Sequence, residues 1–226
     1  MRAATSSICD SHKSKAELSL QVVSPDVSCK NSESTLFCST THSCMVGMAY
    51  TVQCNEPNDF LAVIQGLDEC PPGHVLVVNT MNSTKAVAGG LFLTEAARKK
   101  LAGIVIDGPV RDLHDIKSSR IPLFAKSVTP YSGSIHSPGT TKVSIICGGA
   151  TINTGDVIVG DADGLVVAPI ATFEQLLSVT EQIARSEAKL MNGMLDGKSL
   201  TSMTNFEDHL LARQKGQVSS FGFRLD

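Results

Sequence analysis

Between Met45 and Ala168 the chain alternates two patterns: short unbroken apolar runs, and longer stretches with apolar residues three and four apart. The runs MVGMAYTVQC (45–54), HVLVVN (74–79) and GIVID (103–107) have the length and β-branched content of buried strands. Between them, NDFLAVIQGLDEC predicts a helix stopped by Pro71-Pro72-Gly73, and LFLTEAARKKL predicts a helix of good formers ending at Ala102-Gly103. Asn79–Gly90 reads as a loop. Further on, PLFAKSVTP, KVSIICGGATI and GDVIVGDADGLVVAP predict antiparallel strands joined by Gly and Asp-Gly turns. A long helix is expected over Ala171–Leu195, its apolar face formed by Phe173, Leu176, Leu177, Ile183, Leu190, Met191 and Met194. The ends are less patterned. Residues 1–45 suggest a short helix near Ser6–Lys13 and then loops, and the tail from Lys198 to Asp226 shows no clear pattern. No repeat or low-complexity linker divides the chain, so one domain is expected.

Composition narrows the function classes. The chain has 226 residues, 42% hydrophobic and 18% charged, with 4% aromatics and no Trp. Its core must be built from Val, Ile, Leu and Ala. A net charge of −3, without a basic run or aromatic-basic interleaving, argues against a nucleic-acid surface. No segment reaches the roughly 18 uninterrupted apolar residues of a membrane helix. The start, MRAATSSICDSHKSK, lacks the apolar centre of a signal peptide, so a cytoplasmic protein is expected. The seven cysteines are odd in number and form no C-x-x-C pair, which favours neither a zinc ribbon nor a disulfide framework. Cys29, Cys38, Cys44, Cys54 and Cys70 crowd one region with His42, which leaves a metal site open. Reduced thiols packed as small hydrophobes are the expected alternative.

The strand–helix–strand passage 74–107 lacks G-x-G-x-x-G, and the chain has neither a P-loop nor a G-x-S-x-G elbow. Three other features carry chemistry. Gly89-Gly90 opens a helix at Leu91-Phe92, where unpaired backbone N–H groups and the positive dipole end suit a carboxylate or phosphate. A plain loop-to-helix turn would look the same. Asp107-Gly108-Pro109-Val110-Arg111-Asp112 follows a buried strand; Arg111 offers a planar fork for a carboxylate or keto oxygen, and Asp112 a hard oxygen for Mg²⁺ or Mn²⁺. An Asp-Gly turn with a surface Arg–Asp pair is the alternative. Glu187 lies on the apolar face of the long helix, where it needs a partner or a metal-bound water if that face is covered, and otherwise reaches solvent from the edge of the stripe.

These residues together resemble the regulator of ribonuclease activity A (RraA) family and its enzymatic branch, the class II pyruvate aldolases acting on 4-hydroxy-4-methyl-2-oxoglutarate and 4-carboxy-4-hydroxy-2-oxoadipate. The resemblance runs from Thr5-Ser6-Ser7-Ile8-Cys9-Asp10 through GMAYTVQC and GHVLVV to GGLFLTEAARKKLAGIVIDGPVRD. It continues through TINTGDVIVGDADGLVVAP to the Glu187–Gly197 helix end. Gly89–Asp112 is its most specific block, and residues 11–45 match poorly. It implies an α/β protein with a layered α/β/β/α, swivelling-domain-like fold: a single domain over residues 1–200 with a C-terminal tail over 201–226. It also implies a homotrimer or hexamer with the active site between subunits.

The resemblance further implies that Arg111 binds the small 2-oxo acid substrate, that Asp112 holds Mg²⁺ or Mn²⁺, and that the amides around Gly89, Gly90, Leu91 and Phe92 hold the pyruvyl carboxylate. Glu187 from the adjacent subunit would join the metal's water shell. The implied reaction is metal-assisted C–C cleavage of a 4-hydroxy-2-oxo di- or tricarboxylate, or decarboxylation of oxaloacetate, giving pyruvate through an enolate. Residues 79–88 and 130–140 are candidates to border the distal part of the substrate, while Lys85 and His136 within them, like His114 beside the motif, read as surface residues before they read as substrate contacts. In one respect the chain departs from the family: the residue after the first glycine is usually Asp or Glu, serving a proton relay through water, and here it is Gly90. That departure favours a rival expectation, a non-catalytic RraA-like regulator of a ribonuclease or helicase, whereas the retained Asp112 favours an enzyme.

Overall fold

The structure, a computed structural model, describes residues 4–24, 26–30 and 45–224. Helix α1 (Thr5–Lys13) and the short strands β1 (Gln21–Val23) and β2 (Ser28–Cys29) precede the first long strand, β3 (Met45–Gln53). Then α2 (Leu61–Glu69), β4 (Val75–Asn79), α3 (Gly90–Arg98), β5 (Gly103–Val110), α4 (Leu113–Ser118) and β6 (Leu123–Val128) alternate. Strands β3 to β6 pair parallel in chain order, as helix-connected strands must. The chain next forms β7 (Thr140–Thr141), the hairpin β8 (Ile145–Cys147) and β9 (Ala150–Ile152), and the hairpin β10 (Val157–Asp161) and β11 (Gly164–Ala168). The main sheet has the order β1-β11-β10-β3-β4-β5-β6-β2, with β7 on β3.

Three apolar clusters explain the layering. Tyr50, Leu76, Val78, Ile104 and Ile106 point to one face of the parallel strands and are covered by Val63, Leu67, Leu93 and Ile116 of α2, α3 and α4. The alternate residues Ala49, Val75, Val77 and Val105 pack with Phe124, Ile158, Leu165 and Val167 inside the curl of the sheet. A Cβ on Gly160 of β10 would lie 3.0 Å from the Phe124 ring of β6, so glycine is what lets these two faces close. Ile8 of α1 and Leu176 of α5 (Ile170–Leu195) cover Val159 and Val166 on the outside of β10 and β11. The expected α/β/β/α layering is therefore present.

The chain divides into two compact units, Met1–Leu176 and Leu177–Asp226. The second contains the rest of α5, a 3₁₀ turn over Thr201–Met203 and helix α6 (Phe206–Gln214). Met203 is buried there, its sulfur close to Gly193, where a side chain would collide with it. Among the described residues no helix is long and apolar enough to cross a membrane.

Several expectations are corrected. Strand β6 runs parallel to β5, because α4, unseen as a helix in DLHDIKSS, carries the chain back between them. As expected, KVSIICGGATI forms antiparallel strands joined by a glycine turn, the positive-φ pair Gly148-Gly149. The patternless tail holds α6, none of whose residues is buried, so no apolar stripe marks it. Burial pushes the thiol of Cys54 up to about 11, that of Cys70 up to about 12 and that of Cys147 higher still, as fits packed hydrophobes. Cys38, Cys44 and His42, on which the alternative metal reading rests, lie outside the described residues.

Candidate active site

The site is built where β5 runs into α4. Strand β5 does not stop at Asp107: it stays buried to Val110, with its register against β6 shifting between Ile106 and Pro109. Gly108 sits at that irregularity because any Cβ would fall 2.5 Å from Thr80 Oγ1. Asp107, the last residue of the expected strand, is buried, and Lys126 Nζ approaches its Oδ1 to 2.6 Å while the Gly148 N–H donates to it at 3.2 Å. The extra strand length fixes Arg111 and Asp112. The Arg111 N–H donates to Ala88 O at 3.0 Å, tying the end of β5 to the loop that enters α3. Asp112 then adopts φ 63°, ψ 46°, a left-handed conformation that costs a non-glycine residue about 1 kcal/mol or more.

That turn aims the Asp112 side chain at the start of α3 and away from the helix that Asp112 itself caps. Its Oδ2 accepts the Gly90 N–H at 3.2 Å and lies 3.5 Å from Arg111 Nε. Gly89 is extended (φ −168°), so its glycine identity serves space and not torsion. A Cβ there would overlap Asp112 Oδ2 and stand 3.1 Å from Arg111 Cγ. At Gly90 a Cβ would stand 2.7 Å from the Cβ and 2.8 Å from Oδ2 of Asp115 on α4. The two glycines thus admit two carboxylates against the first turn of α3. The Phe92 N–H bends back to Gly89 O at 3.0 Å, whereas the Leu91 N–H has no hydrogen bond among the described residues. The Leu91 side chain is 79% exposed; the Phe92 ring stands edge-on to Phe60 at 6.0 Å.

The structure therefore brings Gly89, Gly90, Leu91, Phe92, Arg111 and Asp112 to one place. Glu187 belongs to the second unit, on the distal part of α5. Sequence reading missed Asp115. Its signal was an acidic residue at the third position of a helix that begins at Leu113, directly after the Arg111-Asp112 pair. His114 is exposed.

The two flanking loops are knitted together through α2's entry. Asn58, at φ 63°, accepts the Thr84 and Lys85 N–H groups on its Oδ1 at 2.8 and 2.9 Å. Buried Asp59 accepts the His136 N–H at 2.6 Å and the Leu61 N–H at 3.0 Å. Burial pushes the Asp59 carboxyl up, but these hydrogen bonds and that of Ser134 outweigh it and hold its pKa below the usual value. Beside Leu91 and Phe92, an apolar groove of about 800 Å³ runs between α2 and α3, lined by Phe60, Ile64 and Pro138 among others.

Among the described residues no three His, Cys, Asp or Glu side chains cluster as a closed metal cage. Asp112 and Asp115 offer hard oxygens at a half-open position beside the paired glycines. One or two carboxylates completed by waters is the donor set that Mg²⁺ favours, so these residues fit a water-rich divalent ion.

A layered α/β protein with a glycine-paired helix start facing an Arg-Asp pair is the class that these features define. The family model for RraA-like proteins (Aldolase/RraA) matches residues 5–167, and the chain belongs to that family. A protein of Halalkalibacterium halodurans named "Putative 4-hydroxy-4-methyl-2-oxoglutarate aldolase" is 39% identical over 134 residues, which is 59% of this chain and 63% of that protein. A protein of the same name from Paraburkholderia phytofirmans is 30% identical over 173 residues, 76% of this chain and 99% of its own length. The match to an uncharacterized Methanocaldococcus jannaschii protein likewise spans 59% of that protein, so the chain covers about three fifths of some relatives. Among solved structures, the RNA-processing inhibitor RraA from Thermus thermophilis superposes with TM-score 0.61 at 25% identity over 75% of this chain and 94% of its own. An uncharacterized Pseudomonas syringae protein shares the fold at TM-score 0.73 and 23% identity, over 88% and 92% of the two chains.

Proposed function

We propose that the chain is a divalent-metal-dependent lyase that releases pyruvate from a 4-hydroxy-2-oxo di- or tricarboxylate or from oxaloacetate. One observation carries this reading: the start of α3 and the Arg111-Asp112 pair converge, with the Gly90 N–H on Asp112 Oδ2. The Leu91 N–H, at the positive end of a nine-residue helix, is placed to receive the substrate carboxylate. The Arg111 guanidinium stands beside Asp112, its Nε 3.5 Å from Oδ2, and its fixed charge would favour the negative charge that develops on the 2-oxo oxygen as the C–C bond breaks. Asp112 is oriented by the Gly90 N–H before any ligand arrives, which spares reorganisation during reaction. A Mg²⁺ or Mn²⁺ ion held by Asp112 would supply Lewis acidity toward the 2-oxo acid. The aldolase names of the relatives support this reading. In the same reading the chain works as a homotrimer or hexamer, with Glu187 of the adjacent subunit reaching the ion's water shell.

Pyruvate release from oxaloacetate in the presence of Mg²⁺ or Mn²⁺ should exceed the metal-only background. Asp112→Ala should lower it by about 100-fold or more, the scale of losing an oriented electrostatic group. Equal rates for wild type and variant would sink the proposal. A second reading, a non-catalytic regulator of a ribonuclease or helicase, draws on Gly90 and on the fold shared with the Thermus inhibitor. Asp112-dependent turnover would exclude it.

A further inference from the structure

Arg111 and the glycine pair both hang from one short stretch of chain, residues 86–88, whose hydrogen bonds run to two sides. Toward β5, the Val87 N–H donates to Pro109 O at 3.2 Å and the Arg111 N–H to Ala88 O at 3.0 Å. On the opposite side, the Ala86 N–H donates to Tyr131 O at 2.8 Å and the Gly133 N–H to Ala86 O at 3.0 Å. The next rung reaches the entry of α2: the Ser134 N–H donates to Asn58 O at 2.7 Å and the Phe60 N–H to Ser134 O at 2.8 Å. A ladder of short, parallel-bridged segments thus runs from Asn58 to Arg111.

Asn58 holds two rungs at once. Its main-chain oxygen takes the Ser134 N–H, and its side-chain oxygen takes the Thr84 and Lys85 N–H groups at 2.8 and 2.9 Å, directly before residue 86. The Ser83 and Thr84 hydroxyls reach the same oxygen at 3.0 and 3.2 Å. An amide oxygen has two lone pairs, so the shorter backbone bonds take precedence. The Ser83 hydroxyl has a nearer acceptor in Lys85 O, at 2.7 Å. The left-handed backbone of Asn58 (φ 63°) is one that Asn and Asp visit more readily than other non-glycine residues. We propose that Asn58 is a positioning residue of this site: by fixing residues 83–88 against residues 131–134, it sets the register in which Arg111 and the start of α3 meet the substrate. The inference rests on the lyase reading. Asn58 acts through residues 86–88, so its loss weakens contacts made in both the ground state and the transition state and falls largely on KM. A residue that only stabilised the fold would lower the active fraction and leave KM where it was.

Two variants separate the acceptor from the backbone. Asn58→Gly keeps the left-handed conformation and removes the acceptor, whereas Asn58→Asp keeps both. In oxaloacetate turnover with Mg²⁺, Asn58→Gly should raise KM by about 10-fold or more, within the cost of a small misplacement of binding groups. Asn58→Asp should keep KM close to that of the wild type. Native-state hydrogen exchange reads the ladder without metal or substrate. In Asn58→Gly the Arg111 amide should exchange faster, together with those of Thr84 and Lys85, relative to Val77 of β4. Where the wild type turns over, three results each overturn the role of Asn58 and leave the lyase reading standing: faster exchange confined to Thr84 and Lys85, an unchanged KM in Asn58→Gly, or a KM raised equally in Asn58→Asp. Wild-type protein without turnover overturns the lyase reading, and the Arg111 amide then decides by itself whether Asn58 sets that residue.

Discussion

At the scale of single residues, space and hydrogen bonding decide more than charge count. Gly89, in an extended conformation open to any residue, must be glycine because of what presses against it. Asp112 carries backbone strain so that its carboxylate turns toward α3. A comparable contact outside the site gives a test by pH. The Tyr50 hydroxyl donates to Glu69 Oε2 at 2.6 Å, with Gln65 and Thr141 adding bonds at 2.9 and 2.8 Å. The Tyr50 hydroxyl chiefly, then Gln65 and Thr141, hold the Glu69 carboxyl down at about 2. The folded protein thus binds this proton more weakly than the unfolded chain, whose glutamate titrates near about 4.3. Stability from the contact is complete above that value and is lost as pH falls toward about 2. In urea unfolding between about pH 5 and pH 2, Glu69→Gln should flatten the fall in midpoint. An unchanged acid limb would contradict this account.

At the scale of elements, the same contact clamps the end of α2 to β3 and β7, and it works beside tight backbone packing. Gly66 of α2 faces the sheet, where a Cβ would lie 2.6 Å from Val52 Cγ2 and 2.9 Å from Leu76 Cδ1. Gly66→Ala would gain about 1 kcal/mol in helix propensity. Overpacking against two fully buried side chains costs about 1–3 kcal/mol, so the variant should come out less stable, by up to about 2 kcal/mol. A raised urea midpoint would show that the helix can shift outward instead. Elements with strong local signals were legible: α2, α3, α5, β3 and β4 lie within a few residues of their expected spans. Strands β1 and β2, and helices α4 and α6, were not. Two or three residues give no period, α4 has one buried residue, and α6 has none.

For the molecule as a whole, the low charge content and the exposed apolar residues belong together. Leu91, Ile64, Met191, Met194 and Leu195 are all exposed on the chain by itself. If the chain assembles as proposed, light scattering should give a particle of three or six chains, and Leu195→Glu or Ile64→Glu should shift it toward smaller species. A single-chain mass for the wild type would remove the proposed role of Glu187 in a neighbour's site. The sequence by itself determined the alternation of buried strands and amphipathic helices, the glycine pair and the Arg111-Asp112 pair, since each is a local pattern of period or spacing. Local pattern left open which of these meet, which only the family resemblance implied, and it read β6 as antiparallel. Tertiary structure decided that. Parallel pairing sets Asn79 beside Asp107, and the continuation of β5 to Val110 delivers Asp112 to Gly90, 22 residues away. It also packs Asp115 into the space left by the missing side chain. Local patterns record which face of an element seeks the core; only the packed sheet and helices fix which ends face each other, and here the chemistry lies at those ends.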